Sequence, residues 1–488
     1  MNSPIRRLAV VVAAMFCALL IAGSVIQYFL SDELADRPNN RRTLLANYGR
    51  DRGAILVDTV QIAKSTPVED EMRYLRSYPR GSLYSHITGY YSVIYGAGGG
   101  IEGAADELLS GSSDALFYRR LGDLITGKQP TGISLELTID ARAQQAAEQG
   151  LGDQRGAVIA LDPRTGAILA MVSHPKYDPN RLSSHDIDQV QRNWTALNNQ
   201  PGRPLINRTI AGDLYPPGST FKVVTAAASL SDGSVSETSA VEAGAALRLP
   251  GTTAVLRNSG GGACNGGSAD LTTALAKSCN TAFGALGMEM GGDALRAQAE
   301  RFGFGTSVSI PMKVTASSVG PTPGEPQEAF TAIGQQDVRV TPLQMAMVAA
   351  GIANDGVVMQ PYLVDQTRGA DLQVLERTEP KELSRAVSQD VADALTRMME
   401  KVVTDGTGTR AQIAGAAVAG KSGTAEHGFD GGVKRPPHAW FIAFAPADDP
   451  QVAVAVVVED GGDAGSEAAG GQISAPIARD VMRAVISR

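Results

Sequence analysis

A chain of 488 residues exceeds what one hydrophobic core organises, since single cores stop growing near about 250–300 residues, so two or three folded units are expected. Its 43% hydrophobic and 19% charged residues describe a packed globular protein and exclude a disordered or collagen-like chain. A net charge of -8 argues against nucleic acid as a partner, and three cysteines with five histidines, lacking any CxxC or HExxH run, predict no metal and no cofactor.

Behind Arg6 and Arg7, residues 8–30 carry no charge, and Asp32, Glu33 and Asp36 follow. As a helix this stretch would span about 35 Å, enough for the roughly 30 Å hydrocarbon layer. The charge bias predicts residues 1–7 as a cytoplasmic tail, 8–30 as a transmembrane anchor and everything beyond as exported. A cleaved signal peptide ending near Ala22-Gly23-Ser24 is the rival reading; it would leave Val25, Ile26, Tyr28, Phe29 and Leu30 on the mature end, which argues against it.

Arg37 to Arg42 is polar and turn-rich, as a short stalk should be. Short apolar runs at Ala54–Val57 and Ser82–Tyr91 predict a small β-containing unit, so residues 31–131 read as stalk and pedestal. Within it, Gly98 to Gly103 formally matches GxGxxG, but no buried strand precedes it and no suitable acid follows, so it reads as a flexible turn. From residue 132 the pattern sharpens: a strand at Leu135–Ile139, then a helix at Ala141–Gly150 with a glycine stop. Ala157–Leu161 and Ala167–Val172 flank the turn Asp162–Gly166 and predict a hairpin, as do Trp440–Ala445 and Val452–Val458 around Pro446–Pro450. Residues 220–405 read mostly helical, and Ser474–Arg488 closes the chain with helical spacing of Ile477, Val481, Met482 and Val485. Strands at both ends with helices between make residues 132–488 an α+β domain with one sheet and a helical insert.

Three short motifs carry chemistry. In Tyr215-Pro-Pro-Gly-Ser219-Thr-Phe-Lys222, the prolines and glycine set up a helix start, and Lys222 three residues after Ser219 shares its face. A serine hydroxyl becomes nucleophilic when a base takes its proton, and a lysine desolvated beside a second cation can be that base. Lys277-Ser278-Cys279-Asn280 supplies Ser-x-Asn, and Gly420-Lys421-Ser422-Gly423-Thr424 supplies Lys-Ser-Gly-Thr on a predicted strand. Each is weak alone; in this order, on an exported chain, together they match the signature of penicillin-recognising serine acyltransferases.

With these motifs the chain resembles a monofunctional class B penicillin-binding protein over essentially its full length. Arg52-Gly53-Ala-Ile55, Tyr78-Pro79-Arg-Gly81, Thr88-Gly89-Tyr90 and Gly100-Ile101-Glu102 resemble blocks of that family's pedestal; Asp178-Pro-Asn180, Pro204 to Arg208, Ile333-Gly334-Gln335 and Thr341-Pro342-Leu343 resemble landmarks of its transpeptidase domain. The short pedestal and the Lys-Ser-Gly-Thr-Ala-Glu wording resemble most the actinobacterial penicillin-binding protein A group. The resemblance implies an antiparallel five-stranded sheet flanked by helices, an all-helical subdomain, and a D,D-transpeptidase that cleaves D-Ala–D-Ala of peptidoglycan stem peptides through an acyl-serine. Ser219 would be nucleophile, Lys222 its base, Ser278 a proton relay, and Asn280 the residue that pins Lys222 and holds the acyl amide. Lys421 would keep the site electropositive, Ser422, Gly423 and Thr424 would line the substrate, and the N–H groups of Ser219 and Thr424 would form the oxyanion hole. Gly423 is expected to keep the strand edge clear for the substrate backbone. β-Lactams would acylate Ser219. The cytoplasmic membrane and proteins of the division or elongation machinery, including a glycosyltransferase, would be partners.

Rival constellations have less behind them. A Ser-His-Asp triad would need His174, His185, His427 or His438 in a nucleophile context, which none has, and His438 reads as a surface or edge residue opening a strand. Cys279 lacks a paired histidine, so a thiol nucleophile is disfavoured. Cys264 and Cys279 are the exported cysteines, and an oxidising compartment permits their disulfide; two free thiols are the alternative. A β-lactamase would need a deacylating water, for which no carboxylate motif argues, and a silent scaffold need not keep all five of Ser219, Lys222, Ser278, Asn280 and Lys421.

Overall fold

The computed structural model describes residues 2–30, 48–113, 131–369, 371 and 373–487; the predicted stalk at Arg37–Arg42 lies outside the described residues. Helix Asn2–Phe29 carries a window of mean hydropathy 2.7, none of it buried, and is long and apolar enough to cross a membrane. It starts six residues before the predicted span, since the arginines are good helix formers and the backbone continues through them.

The N-terminal region contributes the last three strands of a six-stranded sheet in the order Val374–Arg377, Val364–Arg368, Ser134–Leu137, Ile55–Val57, Val60–Pro67, Tyr74–Ser77. Ile55–Val57 runs parallel to Ser134–Leu137, so the N-terminal module shares its sheet with strands from far along the chain. Beside the sheet Glu102 is fully buried; its carboxylate accepts from Arg52 Nε at 2.7 Å, Arg76 Nε at 2.6 Å and the Tyr78 hydroxyl at 3.2 Å. The Gly98–Gly103 segment is therefore no flexible turn. Gly100, at φ +44°, packs so tightly on Gly89 that a Cβ would overlap the Gly89 nitrogen, and helix Gly100–Ala104 carries Glu102 to its arginines.

The larger unit is built on an antiparallel sheet of five strands, ordered Ala419–Ala425, His438–Ala445, Val452–Val458, Gly156–Leu161, Ile168–His174. Both predicted hairpins are present. Strand His438–Ala445 is buried along its whole length because both faces are covered, which explains continuous apolar runs where a one-sided sheet would alternate. Ala157, Ile159, Trp440, Ile442, Ala455 and Val457 face the helical subdomain; Val158, Ala160, Phe441, Ala443, Val454 and Val456 face helices Ala141–Leu151 and Gly470–Ile486. His438 is buried too, correcting its reading as a surface residue: its strand lies second in the sheet, with neighbours on both sides.

Helix Ala141–Leu151 is capped by the Asp140 carboxylate, which accepts from the N–H groups of Arg142 and Ala143. It runs past Gly150 and stops at Gly152, whose φ of +58° suits glycine. The last helix starts at Gly470, four residues before the predicted Ser474, because only glycines fit there: a Cβ on Gly470 would overlap the Trp440 carbonyl and one on Gly471 the Thr407 carbonyl. Between the sheet's ends the chain is mainly helical, as read, but it also carries the short antiparallel pairs Ala240–Glu242 with Ser268–Asp270 and Ala246–Arg248 with Val255–Arg257.

Candidate active site

The turn bearing Ser219 is fixed from several directions before any catalytic group is considered. Tyr215 exchanges backbone hydrogen bonds with Val340, and the Pro216 carbonyl accepts from Trp440 Nε1 at 3.1 Å. The Gly218 N–H donates to the Gly334 carbonyl at 2.9 Å, and Thr220 Oγ1 donates to the Pro217 carbonyl at 2.8 Å. A single 3₁₀ turn, Gly218–Phe221, then feeds helix Lys222–Ser231, which is buried for eight of its residues from Lys222 to Ser229. Ser219 is left half-exposed at the start, and Lys222 is fully buried.

The second motif is the link between helices Leu271–Ala276 and Asn280–Met290. Ser278 sits in the left-handed region at φ +59°, a conformation that costs a non-glycine residue on the order of 1–2 kcal/mol. The strained turn delivers both its polar groups to one place: Lys222 Nζ donates to the Ser278 carbonyl at 2.7 Å and lies 3.3 Å from Ser278 Oγ. Asn280 Oδ1 accepts from the same ammonium at 2.7 Å, while Asn280 Nδ2 donates to the Arg257 carbonyl at 2.9 Å. From the edge strand Ala419–Ala425, Lys421 Nζ donates to Ser278 Oγ at 2.9 Å and to the Ser422 carbonyl at 2.8 Å. Cys264 and Cys279 are joined by a disulfide with their Cα atoms 5.9 Å apart, which staples the glycine-rich loop before residue 268 to the second motif.

Two lysines thus converge on one serine hydroxyl inside a buried site, and among the described residues neither has a carboxylate partner. Charging both would place like charges side by side without water. Burial, and then the charge of Lys421, push the Lys222 ammonium well below the ordinary lysine range; burial alone lowers Lys421 to about 7. Lys222 is therefore the one that gives up its proton first, and Lys421 is the one that carries the charge.

The pleat sorts the third motif. Lys421 points toward Ser278, whereas Ser422 is buried with its hydroxyl 2.6 Å from Thr407 Oγ1, and Thr424 is exposed. Gly423 lies opposite Trp440, and a Cβ there would come within 3.0 Å of the Pro217 carbonyl, Thr220 Cγ2 and Trp440 Cβ. Its glycine therefore lets the nucleophile turn dock on the strand. A Cβ on Gly218 would meet the Thr424 carbonyl at 2.8 Å, so the same close approach brings the Ser219 and Thr424 main chains together.

Residues 156–483 match the penicillin binding protein transpeptidase domain, and residues 52–135 match the penicillin binding protein A dimerisation domain. The chain is 46% identical to the peptidoglycan D,D-transpeptidase PbpA of Mycolicibacterium smegmatis, over 100% of this chain and 99% of that protein. This protein is a class B penicillin-binding protein of the PbpA group. The PbpA of Mycobacterium tuberculosis strain H37Rv is 45% identical over the same shares. The penicillin-binding protein A of M. tuberculosis, solved as its penicillin G acyl-enzyme complex, superposes with a TM-score of 0.84 at 45% identity, covering 90% of this chain and 100% of that one.

For this penicillin-binding protein the fold brings together Lys222, Ser278, Asn280 and Lys421, and Ser219 lies in the single turn that leads into Lys222. Sequence reasoning missed Thr407, Trp440 and Arg257. Trp440 and Arg257 act through a ring N–H and a backbone carbonyl, and Thr407 pairs with Ser422 from 15 residues away; no local pattern announces such partners.

Proposed function

We infer that Ser219 is the acylated nucleophile of a peptidoglycan D,D-transpeptidase, and that its base is Lys222. The observation that carries this is the buried Lys222 ammonium held between Ser278 and Asn280 beside a second lysine, an environment that favours its neutral form. The Ser219 proton passes to Lys222 as Oγ bonds to the carbonyl carbon of the D-Ala–D-Ala bond. When that C–N bond breaks, the proton reaches the departing D-Ala nitrogen through Ser278, which touches both lysines. The amine of a second stem peptide then attacks the acyl-serine, returns a proton to Oγ and leaves a cross-link.

The N–H groups of Ser219 and Thr424 are the proposed oxyanion donors, worth about 3–4 kcal/mol each in comparable acyl transfer. Asn280 uses one amide hydrogen on Arg257 and has a second for the acyl amide. Exposed Thr424, with the charge of Lys421 behind it, receives the substrate carboxylate, and Ser422 supports the strand through Thr407. Helix Asn2–Phe29 anchors the protein in the membrane; we propose residues 1–7 as the cytoplasmic tail, 8–30 as the span, 31–131 as stalk and pedestal, and 132–488 as the catalytic body outside. Strand polymer must be supplied by a glycosyltransferase, which we place with it in the division or elongation machinery.

The test is fluorescent penicillin added to the detergent-solubilised full chain and to Ser219→Ala. Labelling of the wild type alone, persisting for many minutes, is expected. Fast release would favour a β-lactamase, and no labelling of a folded wild type would favour a scaffold.

A further inference from the structure

Two imidazoles and a carboxylate meet just beyond the catalytic edge strand, and the acyl-transfer chemistry uses none of them. His427 lies in the loop that follows Ala419–Ala425, His438 opens the adjacent strand, and Asp460 follows Val452–Val458. The two rings stack with centroids 3.7 Å apart and planes within 6°. His427 Nε2 is 2.9 Å from Asp460 Oδ1 and 2.8 Å from the Pro436 carbonyl, and the Asp460 N–H donates to His438 Nδ1 at 3.2 Å. One donor atom from each of the three side chains lies within 4.8 Å of the other two. They stand in the wall of an open cavity of about 1090 Å³ that continues past Tyr215 and Pro216 toward the nucleophile turn.

We propose that His427, His438 and Asp460 form a binding site for one divalent transition-metal ion of the zinc type, with its remaining coordination opening into this cavity. Two nitrogens and one carboxylate oxygen are a donor set that Zn²⁺ accepts, at about 2.0–2.2 Å from each. The ion takes the place of the Nε2 proton that now bridges His427 to Asp460; that proton moves to His427 Nδ1, and the Asp460 N–H gives up His438 Nδ1 to the metal, so no proton is released. Because a metal lies in the plane of each ring it binds, the parallel stack must open on binding. The nearest competitors are already engaged: Glu459 accepts from Arg208 at 2.8 Å, from Arg155 at 2.7 Å and from the Tyr215 hydroxyl at 2.7 Å. Arg155 stands off from Asp460 at 3.8 Å. An ion here would tie the segment leaving Thr424 to the loop at Asp460, next to the substrate strand.

The experiment is a Co²⁺ titration, followed by visible absorption, of the full chain in detergent and without a histidine tag. The variants are His427→Ala, at a partly exposed ring, and Asp460→Asn, chosen because asparagine tolerates the φ of +51° found there. Saturation at one Co²⁺ per chain is expected, with intense ligand-field bands, displacement by Zn²⁺, and about tenfold or greater weakening in each variant. Penicillin labelling at the wild-type rate would establish that the variants are folded. No saturable uptake by the wild type, or equal uptake by both folded variants, would overturn the proposal.

Discussion

Replacing Gly334 by alanine should slow acylation about 100-fold without touching a catalytic side chain. Gly334 has φ +72°, and its carbonyl receives the Gly218 N–H immediately before Ser219. A Cβ built there would lie 2.8 Å from both the Gly218 carbonyl carbon and Phe221 Cβ, and closer still to the Gly218 oxygen. Carbon atoms pack at about 3.5–4.0 Å, so the nucleophile turn must retreat by roughly 1 Å. A misplacement of that size can cost about 100-fold in rate, equivalent to about 2.7 kcal/mol of barrier. The left-handed backbone adds an independent stability cost of about 1–2 kcal/mol. Gly305→Ala separates the two effects, because Gly305 has φ +79° and nothing within 4 Å of its added Cβ. Both variants should melt earlier; in stopped-flow acylation by fluorescent penicillin, Gly334→Ala alone should fall about 100-fold, with Gly305→Ala near wild type. A folded Gly334→Ala that acylates within about threefold of wild type would refute the claim that Gly334 positions Ser219.

Three further outcomes follow from the geometry. In the free enzyme the Lys421 charge is lost as pH rises through about 7, so the second-order acylation rate should rise on the acid side as Lys222 sheds its proton and fall on the alkaline side. Lys421→Arg, whose guanidinium stays charged, should remove the alkaline limb; a wild-type profile flat between about pH 6 and 10 would contradict the assignment. Cys264→Ser should lower stability by about 3 kcal/mol for a crosslink spanning 15 residues, read from the denaturant midpoint, and should slow acylation because Cys279 sits between Ser278 and Asn280. Burial alone would raise the Glu102 carboxyl, but Arg76 and Arg52 overcome this and hold it below the usual range. Its stabilisation is therefore present above about pH 4.3 and fades as pH falls through the native value. Glu102→Gln should cost about 3–5 kcal/mol in thermal or urea unfolding by leaving two buried guanidinium groups facing a neutral amide.

The sequence by itself determined what depends on neighbours along the chain. Residues 8–30 announce a membrane-length helix through the absence of charge, the two hairpins through apolar runs around Pro/Gly turns, and the nucleophile through an i, i+3 pair at a proline-glycine helix start. The three motifs were legible because each catalytic group sits inside a short segment of its own. Tertiary structure decided everything that joins segments. Pedestal strand Ile55–Val57 pairs with Ser134–Leu137, whose other neighbour, Val364–Arg368, comes from more than two hundred residues on, and no local periodicity encodes that. Glu102 looked like part of a loose glycine turn until the fold placed it between Arg52 and Arg76, and His438 looked exposed until a strand closed on each side. The lowered affinity of Lys222 for its proton is of the same kind. Burial and the approach of Lys421, 199 positions away, produce it, and both exist only once the nucleophile helix has been packed against the sheet.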